Sequence, residues 1–210
     1  MRKFILCLLV YLDFYSLTAF SLPKNCQNDC ILPFGTKIGE NSGVPAYSNC
    51  KPLCVNPEPH QEEALGQKNE KIYTGIKWQC VEYARRWLVK NKHVIFGSVD
   101  FAFEIFNLTH VTSVNNKDVK FCLKRFVNNQ TSEYPQRGDL LIYGKEHFGT
   151  GHIAIIVGLG KNFVTVAEEN YFNDKWHATN EYARKILLSN TQDKVRIHDT
   201  DVLGWMRVEK

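Results

Sequence analysis

The stretch from Gly151 to Glu168 constrains the fold most, because two apolar runs rich in β-branched residues flank the turn sequence Gly-Leu-Gly-Lys-Asn. Short runs of this kind around a glycine-containing turn predict a β-hairpin. We therefore expect antiparallel strands over residues 153–157 and 163–167, with the turn centred on Gly160. A further apolar run at residues 140–143 predicts a third strand of the same antiparallel sheet.

The stretch from Lys77 to Leu88 has the spacing of an amphipathic helix that begins at Cys80. Apolar residues recur at helical intervals and form the expected buried stripe, at Val81, Ala84 and Leu88. Charged residues fall on the more polar side, at Glu82, Arg85 and Arg86. A helix that packs against an antiparallel sheet is an α+β architecture.

Cys80 lies in the first turn of this helix, where a cysteine can act as a nucleophile. The unpaired backbone N–H groups and the positive end of the helix dipole favour the ionised sulfur there. The alternative is a small buried core residue, because free cysteine is among the most buried residue types. The sequence of this segment alone leaves both roles open.

His152 and Glu168 supply possible partners for a nucleophile. If the hairpin turn centres on Gly160, the two residues face each other, and opposed side chains on neighbouring strands have Cβ atoms about 5 Å apart. The carboxylate can then hold one imidazole nitrogen while the other faces a nucleophile, which is the arrangement of a catalytic triad. Asn170 is the alternative orienting residue, because strand alternation places it on the same face as Glu168. Glu169 should point away, and a purely structural histidine is the remaining alternative.

The chain resembles the CHAP amidohydrolases and peptidases, a peptidase C51-like family, and within it the amidase domains of bifunctional glutathionylspermidine synthetase/amidases. The resemblance covers residues 33–206. It implies a papain-like fold related to the NlpC/P60 proteins, with Cys80 as nucleophile, His152 as base and Glu168 as orienting group. It also suggests Arg85 and Gln79 as substrate-binding residues, although Arg85 could equally lie on a solvated helix face. The motifs that carry the resemblance are Pro33-Phe34-Gly35-Thr36, Gly43-Val44-Pro45-Ala46-Tyr47-Ser48, Lys77-Trp78-Gln79-Cys80-Val81-Glu82-Tyr83-Ala84-Arg85-Arg86, Glu104-Ile105-Phe106-Asn107-Leu108, Gly151-His152-Ile153-Ala154-Ile155-Ile156, Ala167-Glu168-Glu169-Asn170 and Leu203-Gly204-Trp205-Met206.

Length and composition exclude several classes of function. The 210 residues, of which 44% are hydrophobic, suit one domain and leave no room for an ATP-dependent synthetase half. The sequence contains no glycine-rich phosphate loop and no paired metal-ligand spacing, so we expect neither a nucleotide cofactor nor a metal. A formal net charge of +4 is too small to favour a nucleic-acid partner.

The first residues have the pattern of a secretory signal peptide. A basic Arg2-Lys3 pair precedes an apolar core at residues 4–12, and Ala19-Phe20-Ser21 offers a cleavage site of small residues. The apolar core is too short to span a bilayer, so we expect a cleaved signal and no stable membrane insertion. The expected organisation is a signal at 1–21, a cysteine-bearing segment at 22–56 and the CHAP domain at 57–210, with a linker-like stretch at 56–71.

The cysteines fit an oxidising compartment. Two Cys-x3-Cys pairs precede the domain, and four cysteines permit three disulfide connectivities. We favour two bridges between the pairs, nested or parallel, over a zinc site, because secretion oxidises thiols. Cys122 is left over and should be a buried thiol. The four disulfide candidates are Cys26, Cys30, Cys50 and Cys54.

Two N-glycosylation sequons begin at Asn107 and Asn129. They have meaning only if the chain enters a eukaryotic secretory pathway. Asn129 lies in a polar loop and is the better candidate, whereas Asn107 follows an apolar stretch that suggests partial burial.

Together these features predict a secreted cysteine amidohydrolase or peptidase that cleaves a C–N amide bond through a thioester. The resemblance to the amidase domains points to glutathionylspermidine-like conjugates, while a secreted CHAP protein more usually cleaves a peptidoglycan peptide or amide. The alternative is a catalytically inert, secreted binding protein on the same fold.

Overall fold

The computed structural model describes residues 26–63, 70–176 and 181–210. The expected signal peptide at 1–21 lies outside the described residues and stays a prediction. No helix in the described ranges has the length and apolar character needed to cross a bilayer.

The described residues form one α-helix, one 3-10 helix and thirteen strands. Helix α1 spans Cys80–Lys92, and the 3-10 helix spans Ala102–Asn107. The strands are β1 (Lys37–Asn41), β2 (Val44–Tyr47), β3 (Pro59–Glu63), β4 (Lys71–Ile76), β5 (Val94–Ile95), β6 (His110–Ser113), β7 (Lys120–Val127), β8 (Leu140–Tyr143), β9 (His152–Leu159), β10 (Phe163–Ala167), β11 (Arg184–Thr191), β12 (Lys194–Ile197) and β13 (Val202–Glu209).

Nine strands form the central sheet, in the order β12-β11-β10-β9-β8-β13-β7-β6-β5. Every neighbouring pair in it is antiparallel. The three strands predicted from the apolar runs are present as β8, β9 and β10. The remaining four strands pair as β1 with β2 and β3 with β4.

Both faces of the central sheet are buried at β8 and the first part of β9, which explains why these strands are apolar without alternation. On one face, Leu140, Ile142, Ile153 and Ile155 pack with residues of α1. On the other face, Leu141, Tyr143, Ala154 and Ile156 pack with β10, β11 and β12. Because side chains alternate along a strand, a strand buried on both faces must be apolar at every position. The fold is therefore α+β and rich in antiparallel sheet, while its relation to papain stays a prediction.

Helix α1 begins at Cys80 as predicted, but its polar side is buried as well as its apolar stripe. Glu82 is 0% exposed and Arg86 is 1% exposed. Arg86 donates hydrogen bonds to both carboxylate oxygens of Glu82, at 2.8 and 3.1 Å, and to Oε1 of Glu169 at 2.8 Å. The charges are tolerated inside because they are paired there. Glu169 does point away from His152, into this buried ion pair.

The stretch at 56–71 is not a linker where it is described. Residues 59–63 form β3, which pairs with β4 and brings His60 Nδ1 to 2.8 Å from Glu82 Oε1. The sequence of this stretch is polar, so hydrophobic periodicity could not indicate a strand there. Residues 59–63 adopt the strand conformation because they pair with β4.

The cysteine-bearing segment packs directly on the domain. Cys26 pairs with Cys54 and Cys30 with Cys50, so the two bridges are nested. Cys122 is free and exposed, which contradicts the buried thiol expected there. It lies on β7, where only Leu123 and Phe126 of the eight strand residues are buried. Asn107 and Asn129 are both exposed, so the partial burial expected at Asn107 is wrong.

Candidate active site

A cleft with a volume of about 480 Å³ opens over the start of α1 and the start of β9. Cys80 and His152 both line it, from elements that are distant in the sequence but adjacent in the core. Glu168 follows the last residue of β10 and lies behind His152. The fold thus brings together the three residues that the sequence singled out as nucleophile, base and orienting group.

Cys80 is the first residue of α1, and the residue before it sets up the helix end. Gln79 is extended, with φ −91° and ψ 151°, and its side chain does not cap the helix. The Gln79 amide instead donates a 2.8 Å hydrogen bond to the carbonyl of Cys54. The N–H groups of a first helical turn lack partners within the helix, so they remain available to an oxygen atom near Cys80.

His152 is held between Cys80 and Glu168. Its Nε2 lies 2.8 Å from Glu168 Oε2, and both side chains are almost completely buried. Nδ1 is the ring nitrogen left for the thiol. Burial disfavours the charged ring, but hydrogen bonds and charge interactions with Cys80 and Glu168 outweigh it and raise the pKa of His152 to about 9.

Gly151 permits the close packing that positions His152. A Cβ at this position would meet the carbonyl oxygen of Tyr143 at 2.7 Å and the backbone nitrogen of Phe103 at 2.8 Å. Its φ of +69° is also a conformation that glycine adopts without strain. The His152 ring then packs among Tyr143, His147 and Tyr171, with ring centroids 5.4, 5.6 and 5.2 Å away.

The contact between His152 and Glu168 does not arise from the strand register that predicted it. The hairpin pairs Ala167 with Ile155 and Val164 with Leu159, with a register shift between Thr165 and Val166. The turn therefore lies beyond Gly160, and the predicted direct opposition of positions 152 and 168 is wrong. The two side chains still meet, because Glu168 follows the end of β10 and its direction is no longer set by the alternation of side chains along the strand.

Arg184 is a site residue that the sequence did not reveal. It donates to both oxygens of Glu168, with Nη2 3.2 Å from Oε2, and to Asp199 Oδ2 at 2.6 Å. Its Nη2 also reaches the hydroxyl of Tyr143 at 2.8 Å. Burial disfavours the Glu168 carboxylate, but Arg184 and His152 outweigh it and lower the pKa of Glu168 to about 2. Glu168 is therefore an anion at neutral pH.

The polar atoms of Asn170 form hydrogen bonds with residues other than His152. Its amide nitrogen donates to the carbonyl of Pro52 at 3.1 Å and to Gln79 Oε1 at 2.9 Å. Its oxygen accepts from Asn49 Nδ2 at 3.0 Å. Asn170 thus links the disulfide-bonded segment to Gln79, the residue before Cys80, by hydrogen bonds, whereas Glu168 is hydrogen-bonded to His152.

Arg85 and Gln79 both line the cleft. Arg85 is buried, with Nη2 3.1 Å from the carbonyl of Phe96, and its Nε has no hydrogen-bond partner. The alternative of a solvated helix face is therefore wrong for Arg85. The described residues contain no group of three or more His, Cys, Asp or Glu side chains that could hold a metal.

Comparisons with known proteins agree with these observations. Residues 71–170, which include Cys80, His152 and Glu168, match the family described as the CHAP domain. The bifunctional glutathionylspermidine synthetase/amidase of Escherichia coli (strain K12) is 34% identical over an alignment of 181 residues that covers 83% of this chain and 29% of that protein. The trypanothione synthetase of Crithidia fasciculata is 30% identical over an alignment of 198 residues that covers 90% of this chain and 29% of that protein. The chain thus spans less than a third of the length of these relatives, and by its matched residues it belongs to the CHAP-domain family.

Proposed function

We propose that this protein is a cysteine amidohydrolase or peptidase that hydrolyses a C–N amide bond. The observation that carries the proposal is the buried 2.8 Å contact between His152 and Glu168, with the free side of the imidazole against Cys80. A nucleophile, a base and a group that orients the base are what acyl transfer requires. The CHAP match and a relative whose name includes an amidase support the same reaction class.

In the proposed mechanism, the Cys80 sulfur attacks the amide carbonyl and forms a tetrahedral intermediate. The N–H groups of the first turn of α1 hold the developing oxyanion. His152, charged below about pH 9, gives its proton to the leaving amine as the C–N bond breaks. Neutral His152 then takes a proton from water, which attacks the thioester carbonyl. The sulfur leaves as a thiolate, the carboxylic acid is released, and the Cys80 thiolate beside charged His152 is regenerated.

Glu168 and the two cleft residues have supporting roles in this proposal. Glu168 fixes the tautomer and orientation of His152 and stabilises its charged form. Arg85 would place a positive charge beside a substrate oxygen, because it lines the cleft. Gln79 would act indirectly, since both polar atoms of its amide already bind Cys54 and Asn170. The substrate is a peptidoglycan peptide or amide, or a glutathione-polyamine conjugate.

Secretion is part of the proposal. The two disulfides favour an oxidising compartment, as the sequence pattern at residues 1–21 does. Asn107 and Asn129 are both exposed and would be accessible to glycosylation.

The test is hydrolysis by the purified protein after signal removal. It is incubated with glutathionylspermidine and with purified peptidoglycan, and free spermidine or newly exposed amines are measured. Cys80→Ala should lower kcat by about three or more orders of magnitude without changing the melting temperature. Cys122→Ala is the matched control, because Cys122 is the other free cysteine in the described residues and lies exposed on β7. Equal rates for the two variants would refute the assignment of Cys80, and no hydrolysis by the unmodified protein would favour an inert binding protein.

A further inference from the structure

The mouth of the Cys80 cleft is unusually apolar. The described residues include eleven large hydrophobic side chains that are exposed to solvent, and five of them line this one cleft. Four separate parts of the chain contribute them, so their grouping is a feature of the folded molecule. They are Leu53, Val55, Tyr73, Phe101 and Phe148. Grouped exposed apolar side chains around a concave site are typical of ligand-binding surfaces.

One wall of the cleft is a loop, Lys51–Val55, whose backbone is fixed while its apolar side chains remain exposed. The two disulfides hold Cys50 and Cys54 at its ends. Its carbonyls are also occupied: Pro52 accepts from Asn170, and Cys54 accepts from both Asn49 and Gln79.

Leu53 is nevertheless 66% exposed and Val55 is 53% exposed. Such a loop loses little conformational entropy when a ligand covers these side chains, so it is preorganised for binding.

The charges that line the cleft do not suit a polyamine. Glu82 lines it, but both of its carboxylate oxygens bind Arg86 and one of them also binds His60. Arg85 is a cation. Asp100 is then the one carboxylate of the cleft lining that has no charged partner among the described residues. The segments 64–69 and 177–180, which lie outside the described residues, contain no Asp or Glu that could add a carboxylate. An amide of spermidine keeps two ammonium groups, which would face one carboxylate, one buried guanidinium and an apolar rim.

We propose that the cleft selects peptide amides with a large apolar side chain next to the scissile bond, and that Leu53 and Val55 determine this selectivity. The proposal rests on the proposed function and names the substrate class of the same site. Covering an apolar side chain of this size discriminates between substrates by about tenfold or more in kcat/KM.

The first experiment measures kcat/KM for blocked peptides of equal length that carry Leu, Phe, Gly, Ser or Lys at the positions flanking the cleaved bond, with glutathionylspermidine alongside. We expect the Leu and Phe peptides to exceed the Gly, Ser and Lys peptides and glutathionylspermidine by about tenfold. The double variant Leu53→Ser with Val55→Ser should lose that advantage, so that its kcat/KM for the Leu and Phe peptides falls to the level of the Gly peptide. Leu159→Ser with Leu187→Ser is the matched control, because both residues are exposed leucines on β9 and β11 outside the cleft lining. Faster cleavage of glutathionylspermidine, or an equal loss on all substrates in the cleft variant, would overturn the proposal.

A binding measurement separates this proposal from the hydrolytic mechanism. Fluorescence anisotropy of labelled Leu, Lys and spermidine-containing peptides with Cys80→Ala reports selectivity without turnover. Tighter binding of the Leu peptide, lost in the Leu53→Ser, Val55→Ser background, supports apolar selection even if no peptide is hydrolysed, in which case only the proposed function fails. Equal binding of all three peptides would overturn apolar selection whatever the rates are.

Discussion

At the scale of single residues, the site is a chain of paired charges that ends at His152. Arg184 sits between Glu168 and Asp199, and Tyr143 bridges Arg184 and Asp199 through its hydroxyl. Each of these two carboxylates thus forms an ion pair with Arg184, and Glu168 also pairs with His152. The carboxylate that contacts His152 is therefore itself bound by Arg184.

The pH behaviour of His152 follows from these contacts. Its pKa is raised to about 9, so the charged ring is present below that pH and is lost above it. The raised pKa also stabilises the fold: this contribution is fully present below the ordinary pKa near 6.5 and disappears as the pH rises through 9. Replacing Glu168 with Gln removes a negative charge beside the ring, so Glu168→Gln should lower the pKa of His152 by roughly 1 to 3 units.

NMR titration of the imidazole carbon-bound protons, together with the pH profile of hydrolysis, checks this prediction. The alkaline limb of the profile should lie near pH 9 in the unmodified protein and move to lower pH in Glu168→Gln. Glu133→Gln removes the same charge from an exposed position and should leave both readings unchanged. A His152 pKa that is the same in all three proteins would contradict the role given to Glu168.

The sequence predicted the three central residues but not their supports. Cys80 could be singled out because periodicity indicates a helix start there, and His152 could be singled out because it begins an apolar strand. Arg184 could not be singled out from the sequence. It begins β11 and reaches Glu168 through the pairing of β10 with β11, which no local pattern encodes. The register of the hairpin also escaped prediction. The turn lies beyond Gly160, so that Val164 pairs with Leu159, and a bulge then shifts the register by one residue.

At the scale of elements, α1 is a buried helix with an ion pair at its centre. Periodicity predicted its start and its apolar stripe, because these depend on local spacing. It could not predict that Glu82 and Arg86 would be buried, because their partner Glu169 is supplied by the segment after β10. The guanidinium of Arg86 also lies 5.4 to 5.7 Å from the ring centroids of Tyr47, Trp78 and Tyr83.

Removing this guanidinium should destabilise the protein strongly. In Arg86→Leu, Glu82 and Glu169 lose the cation that both depend on while they remain buried, and a broken buried ion pair costs about 3 to 5 kcal/mol of unfolding free energy. Lys90→Leu is the control on the same helix, since Lys90 is partly exposed and pairs with Glu62 at 3.1 Å. That surface pair should be worth less than about 1 kcal/mol. Urea unfolding measures both variants, and a cost for Arg86→Leu no larger than that of the control would refute the argument.

At the scale of the whole molecule, the N-terminal segment and the sheet share one core. Ile38, Val44 and Ala46, from β1 and β2, pack in the same cluster as α1 and β9. The sequence predicted the α+β class and three strands of the sheet, because continuous apolar runs are a local signal. It did not predict that the C-terminal strand β13 would insert between β8 and β7, because that pairing joins distant parts of the chain.

The shared core determines how loss of the outer disulfide, Cys26–Cys54, should affect unfolding. Cys26 and Cys54 are 28 residues apart in the sequence, so their bridge restricts a long loop of the unfolded chain and should contribute about 3 to 4 kcal/mol. If the segment and the sheet unfold together, the double variant Cys26→Ser with Cys54→Ser should melt in a single transition lowered by about 10 °C. Calorimetry tests this, with Cys122→Ser as a control for the loss of an exposed thiol. Two separate transitions, of which only the first moves, would mean that the segment unfolds independently; the cleft wall at Leu53 could then be lost while the contact between His152 and Glu168 survives.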